Sequence, residues 1–116
     1  MKTKKAVVNK CYGGFGVSKE LYEELGLEWD DYGWPTNKDF GIESDDYLAY
    51  RYHKPFIKAI EKLGTEAASG ETATLVIVKV PIGLKTRWIL VSGWETILAI
   101  SEKTVNGIRY EVHQIL

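Results

Sequence analysis

The tetrapeptide Val105-Asn106-Gly107-Ile108 constrains the fold more than any other stretch of this chain. Asn and Gly accept positive φ at little cost, and side by side between apolar residues they close a two-residue type I′ turn. The chain must double back there, so the alternating segment Arg109 to Ile115 must pair antiparallel with what precedes it. Upstream, Arg87 to Val91 and Glu95 to Ile100 flank Ser92-Gly93, a second expected tight turn. Leu75 to Val80 is a continuous run rich in β-branched residues, apolar but for Lys79. It reads as a central strand, ended by Pro81 and Gly83. Four consecutive antiparallel strands are therefore expected in the C-terminal part.

The N-terminal part reads differently. Ala6-Val7-Val8 is a short strand running into a glycine cluster. Ser18 is placed to cap a helix over 19–25, because its hydroxyl can accept from a free N–H of the first turn. Val17 and Tyr22 fall at staple positions, Glu20 suits the positive end of the helix, and Gly26 suits its end. Tyr47 to Tyr52 is aromatic-rich and predicts a strand. Pro55 starts a second helix carrying Phe56, Ile57, Ile60 and Leu63 on one face, closed by Gly64, and 65–72 predicts a loop. Together these give an α+β class: a two-layer domain whose mainly antiparallel sheet, with a C-terminal β-meander, is covered by two helices.

The 116 residues make one expected domain, 1–116, long enough to bury a core without disulfides or metals. One cysteine excludes a disulfide framework and a multi-cysteine zinc site. Two distant histidines and no EF-hand spacing argue against a metal, and no cofactor is expected. No apolar run has the length of a membrane span and no signal peptide is visible, so a soluble cytoplasmic protein without membrane contact is expected.

Net charge is only −1, which argues against general nucleic-acid binding. That sum conceals a segregation. Lys2, Lys4, Lys5 and Lys10 open the chain with no acid among them. Residues 19–47 hold ten acids against Lys19 and Lys38. This acidic segment also carries Trp29, Tyr32, Trp34 and Phe40, and aromatics at that density predict an ordered excursion packed on the body or on a partner. Either the acids form a solvated face or they form a docking surface for a basic partner. The partner-binding candidates are Trp29, Asp30, Asp31, Trp34, Asp45 and Asp46.

The second unusual stretch is Asn9-Lys10-Cys11-Tyr12-Gly13-Gly14-Phe15-Gly16-Val17-Ser18. A strand, a glycine turn and a helix start can hold a phosphate or carboxylate on backbone N–H groups. The anion-ligand candidates are Asn9, Lys10, Tyr12, Gly13, Gly14, Phe15, Gly16 and Ser18, with Tyr12 or Phe15 stacking a base. The glycines match neither the Walker nor the dinucleotide pattern, and a tight turn needing glycine only for its backbone is the competing reading. No catalytic residues are assigned. The least implausible enzyme would use Cys11 with His53 or His113 as base.

The block from Val8 to Ser18, with Leu21 and Leu25-Gly26, resembles a family of small proteins encoded widely in bacteriophage and prophage genomes. So does Ile60-Glu61-Lys62-Leu63-Gly64 followed by Ala68-Ser69-Gly70 and the strand Leu75 to Pro81. This chain differs from the family pattern at Lys54, at Ser92 and in its segment from Ser101 to Leu116. The resemblance implies a phage accessory protein acting in the host cytoplasm. Its expected role is non-enzymatic binding, in counter-defence or redirection of a host process. It would sequester a small anionic or nucleotide ligand, or dock on a host protein. A homo-oligomer built by pairing strand edges is a further expectation.

Overall fold

In the computed structural model, which describes residues 2–91 and 94–116, the order is β1 (Thr3–Asn9), α1 (Lys19–Leu25), α2 (Lys54–Leu63), α3 (Thr65–Ala68), β2 (Leu75–Pro81), β3 (Lys85–Val91), β4 (Trp94–Val105) and β5 (Ile108–Ile115). Two 3₁₀ turns, Asn37–Phe40 and Ala49–Tyr52, lie between α1 and α2. The class is α+β, and the C-terminal strands form a meander, as the turn chemistry predicts.

The expected four-strand run is corrected in one respect. β2 does not pair with β3. It pairs antiparallel with β1, from Thr3 opposite Pro81 to Asn9 opposite Leu75, in a separate two-stranded ribbon. β3, β4 and β5 make a three-stranded antiparallel sheet. The ribbon lies between two apolar clusters, which explains why Ala6-Val7-Val8 and Leu75–Val80 carry no polar alternation. Val7 and Leu75 join Leu21, Tyr22, Phe56, Ile57 and Ile60 on the helix side. Ala6, Val8 and Val80 join Ile97, with Trp88 against them, on the side of the C-terminal sheet. Trp88 also donates its indole N–H to the Tyr52 hydroxyl, 3.1 Å away.

Helix α1 forms where its local signals put it. The Ser18 hydroxyl accepts from the Leu21 N–H, and Gly26 stops the helix at φ 71°. Pro55 lies in the first turn of α2, one residue later than expected, because Lys54 already takes helical geometry. Residues 65–72 are not wholly loop: Thr65–Ala68 form one helical turn. The expected strand Tyr47–Tyr52 is absent. The Asp46 carboxylate accepts from the Leu48 N–H, the Asn37 side chain accepts from the Tyr50 N–H, and these bonds bend the segment into a 3₁₀ turn. Side-chain bonds here outcompete the aromatic strand preference.

Asn106 and Gly107, at φ 52° and 77°, close the β4–β5 hairpin as a type I′ turn requires. The expected turn at Ser92-Gly93 lies outside the described residues. The β4–β5 hairpin runs well beyond the body, and the molecule is elongated, 57 × 29 × 25 Å.

Candidate functional site

The glycine loop is fastened to the body by its own polar groups. Asn9 is buried; its Oδ1 accepts from the Thr74 N–H at 2.9 Å, its Nδ2 donates to the Gly13 carbonyl at 2.7 Å, and its backbone N–H donates to Glu95 Oε1. The Lys10 N–H donates to the Thr74 carbonyl, and its Nζ lies 3.5 Å from Thr96 Oγ1. Phe15 covers the Arg51 guanidinium, whose carbon sits 3.5 Å from the ring centroid. Arg51 in turn grips both carboxylate oxygens of Glu95, at 2.6 and 3.0 Å, and donates to the Val7 carbonyl.

The helix start is engaged as well. The Val17 N–H donates to the Gly33 carbonyl and the Ser18 N–H to that of Ala68, while the Ser18 hydroxyl also donates to Ala67. The Gly16 carbonyl accepts from the Gly70 N–H. A methyl group on Gly13 would run into Thr72, so that glycine is set by close approach. Among the nominated loop residues, Gly14 faces open space, and Tyr12 is exposed with its ring edge-on to Trp94.

The acidic excursion divides its residues differently. Asp30 is part of its scaffold: Oδ1 accepts from the Gly33 N–H at 2.7 Å and the Tyr32 N–H at 2.8 Å. These backbone donors hold its carboxyl below the usual carboxylate range. Trp29 packs edge-on to Tyr22 at 5.2 Å, and burial followed by the Asp30 charge pushes the Tyr22 phenol well up. Phe40 packs against Phe56 and Tyr50. Asp46 folds the turn described above. Asp31, Asp45 and Trp34 are exposed. Tyr32 and Trp34 stack on each other, centroids 5.6 Å apart, and remain 69% and 64% exposed.

These two stretches, far apart in the reading of the sequence, meet in one cleft of about 470 Å³. Residues 16–19 form one wall, Trp29, Asp31, Tyr32 and Trp34 another, and the loop 69–72 after α3 the third. Asp31 and Glu71 set a negative rim, opposed by Lys19 alone. Aromatic faces beside carboxylates attract flat cations such as a guanidinium. A second concavity, of about 530 Å³, lies between β1 and α2 and is lined by Lys4, Lys5, Lys54 and Lys58 around Tyr52. Lys4 Nζ stands 4.4 Å from the Tyr52 ring centroid, and Lys5 pairs with Glu61 at 2.9 Å.

The imidazoles have other neighbours than Cys11: the His53 ring lies on Phe40, and His113 Nε2 is 3.0 Å from Glu111. Among the described residues no three His, Cys, Asp or Glu side chains group as metal ligands, and no helix is long and apolar enough to cross a membrane.

Sequence reasoning missed Tyr32 and Glu71 as cleft residues and the Arg51–Glu95 pair beneath the loop. The pair spans 44 positions and has no local signature. Tyr32 was legible as one aromatic among four; only its stacking on Trp34 distinguishes it. Comparison with family models, curated proteins and solved structures gives no match to this chain.

Proposed function

We propose that this chain is a non-enzymatic phage accessory protein that binds a basic segment of a host protein in the bacterial cytoplasm, in the service of counter-defence. The phage setting rests on the resemblance of the N-terminal block. The binding mode rests on one observation: Tyr32 and Trp34 are stacked and exposed at the mouth of a negatively rimmed cleft. Large aromatics left in water cost hydrophobic free energy that a partner recovers, and Trp and Tyr are the usual anchors of such contacts. The acids Asp31 and Glu71 select a cationic partner and steer its approach.

The test is affinity capture from host lysate, followed by titration of the captured protein. Trp34→Ala is expected to weaken binding about 30-fold or more. The double reversal Asp31→Lys, Glu71→Lys is expected to abolish capture with the fold intact. Asp30 and Asp46 are unsuitable for reversal, because both hold backbone turns. Capture that survives both variants would refute the docking surface.

A second reading, sequestration of a small anionic or nucleotide ligand, draws its support from the lysine groove rather than from residues 9–18. The groove offers lysines around an aromatic ring, the pairing that suits a phosphate attached to a base. A thermal-shift panel of nucleotides tests it. A rise in melting temperature that disappears in Lys4→Glu, Lys58→Glu supports it, and no rise with any nucleotide removes it.

A further inference from the structure

The β4–β5 hairpin is amphipathic although it stands largely in solvent. Directly paired residues share a face, so Val105, Ile108, Tyr110 and Val112 line one side, together with Lys103 opposite Tyr110 and Ser101 opposite Val112. Ile97 and Trp88 lie on that same side, where they pack on the ribbon. Beyond the body this stripe continues uncovered, its four apolar residues 42–56% exposed. The other side is charged: Arg109 pairs with Glu102 at 2.7 Å and His113 with Glu111 at 3.0 Å.

The two edges of the sheet are not alike. β3, at one edge, carries Lys85 and Arg87, charges of the kind that discourage strand addition. β5, at the other, reads Ile-Arg-Tyr-Glu-Val-His-Gln-Ile, where Arg109 and Glu111 carry opposite charges instead of like ones, and its outer edge has no strand partner among the described residues. Such an edge offers unpaired N–H and C=O groups to another strand.

We infer that the occupant of this edge is β5 of a second copy of the chain, paired antiparallel about a two-fold axis at Tyr110. The sequence of β5 is self-complementary in that register. Tyr110 meets Tyr110 of the other copy, Ile108 meets Val112 on the apolar face, and Arg109 meets Glu111 on the charged face, each of the last two occurring twice by symmetry. Moving the axis by one residue sets Glu111 against itself in one direction and Arg109 against itself in the other. The axis at Tyr110 thus matches both charge and apolarity. It joins two three-stranded sheets into one of six strands. It also lays the tip of each hairpin beside residues 113 and 114 of the other copy. The apolar stripes then fall on the side of the joined sheet that faces both bodies.

Sedimentation equilibrium of the full chain tests this, with circular dichroism to confirm folding. The wild type is expected to be a dimer. Arg109→Glu places like charges opposite each other twice, as does Glu111→Arg, and each is expected to raise the dimer dissociation constant roughly tenfold or more. The combined Arg109→Glu, Glu111→Arg swap is expected to restore it. In a Cys11→Ser background, Tyr110→Cys is expected to cross-link between copies under mild oxidation, since directly opposed Cβ atoms lie within disulfide reach. Ile108→Cys, offset from its own copy, is expected not to. A monomeric wild type overturns the inference, and so does a dimer indifferent to the single reversals or a swap that fails to restore pairing.

Discussion

The glycine loop and the acidic excursion both stand out in the sequence, and the fold treats them in opposite ways. In the loop, Asn9, the Val17 and Ser18 N–H groups and Phe15 all have partners within the body. In the excursion, Asp30, Asp39, Asn37, Ser44 and Asp46 shape the backbone, and Tyr32, Trp34, Asp31 and Asp45 face outward. Unusual composition marks a constrained segment in both cases. It leaves chemistry free for a partner only where side chains remain unpaired after the chain has folded.

The largest effect is expected at Arg51 and Glu95, beneath the loop. Glu95→Ala leaves a guanidinium with 4% side-chain exposure without its carboxylate. A loss of about 3–5 kcal/mol in chemical denaturation is expected. A loss below about 1 kcal/mol would mean that the loop is not anchored there. Asn9→Ala strips the Thr74 N–H and Gly13 carbonyl of their partner and is expected to cost about 2 kcal/mol, again read by denaturation. Trp34→Ala inverts the pattern. With its side chain in water it is expected to shift stability by no more than about 0.5 kcal/mol while removing partner binding. A loop variant that leaves stability unchanged, or a Trp34 variant that unfolds the protein, would reverse the roles assigned to the two regions.

The smallest effect concerns Asp30. Its folded carboxyl titrates below the unfolded range, so the stabilisation it gives is present above that range and lost as pH falls through the lower folded value. Wild type is expected to be the more stable of the pair at neutral pH, and Asp30→Asn to approach it in acid. A stability gap that stays constant from neutral pH to pH ~3 would show that the backbone bonds to the ionised carboxylate are not what the turn depends on.

What the sequence made legible was local. The Ser18 cap, the Gly26 stop and the Asn106-Gly107 turn each act within a few residues, and each appears where expected. The failures were non-local. The run Leu75–Val80 shows burial on both faces, but nothing within it says that its neighbour is Thr3–Asn9 rather than β3. The bend at Tyr47–Tyr52 is shared between Asp46, two positions from the Leu48 it holds, and Asn37, thirteen positions before the Tyr50 it holds, and only the second lies beyond local reach. For the candidate cleft, the two walls were identified separately. Their meeting depends on the Val17–Gly33 and Gly16–Gly70 hydrogen bonds, which tie segments far apart in the chain.

The cleft is probed most directly by a two-dimensional ¹H–¹⁵N spectrum of the intact protein titrated with an oligo-arginine peptide. Saturable shifts are expected at Asp31, Tyr32, Glu71 and the Trp34 indole, with residues 9–15 largely unmoved. Saturable shifts confined to the glycine loop, or none at the Trp34 indole, would contradict docking in the cleft.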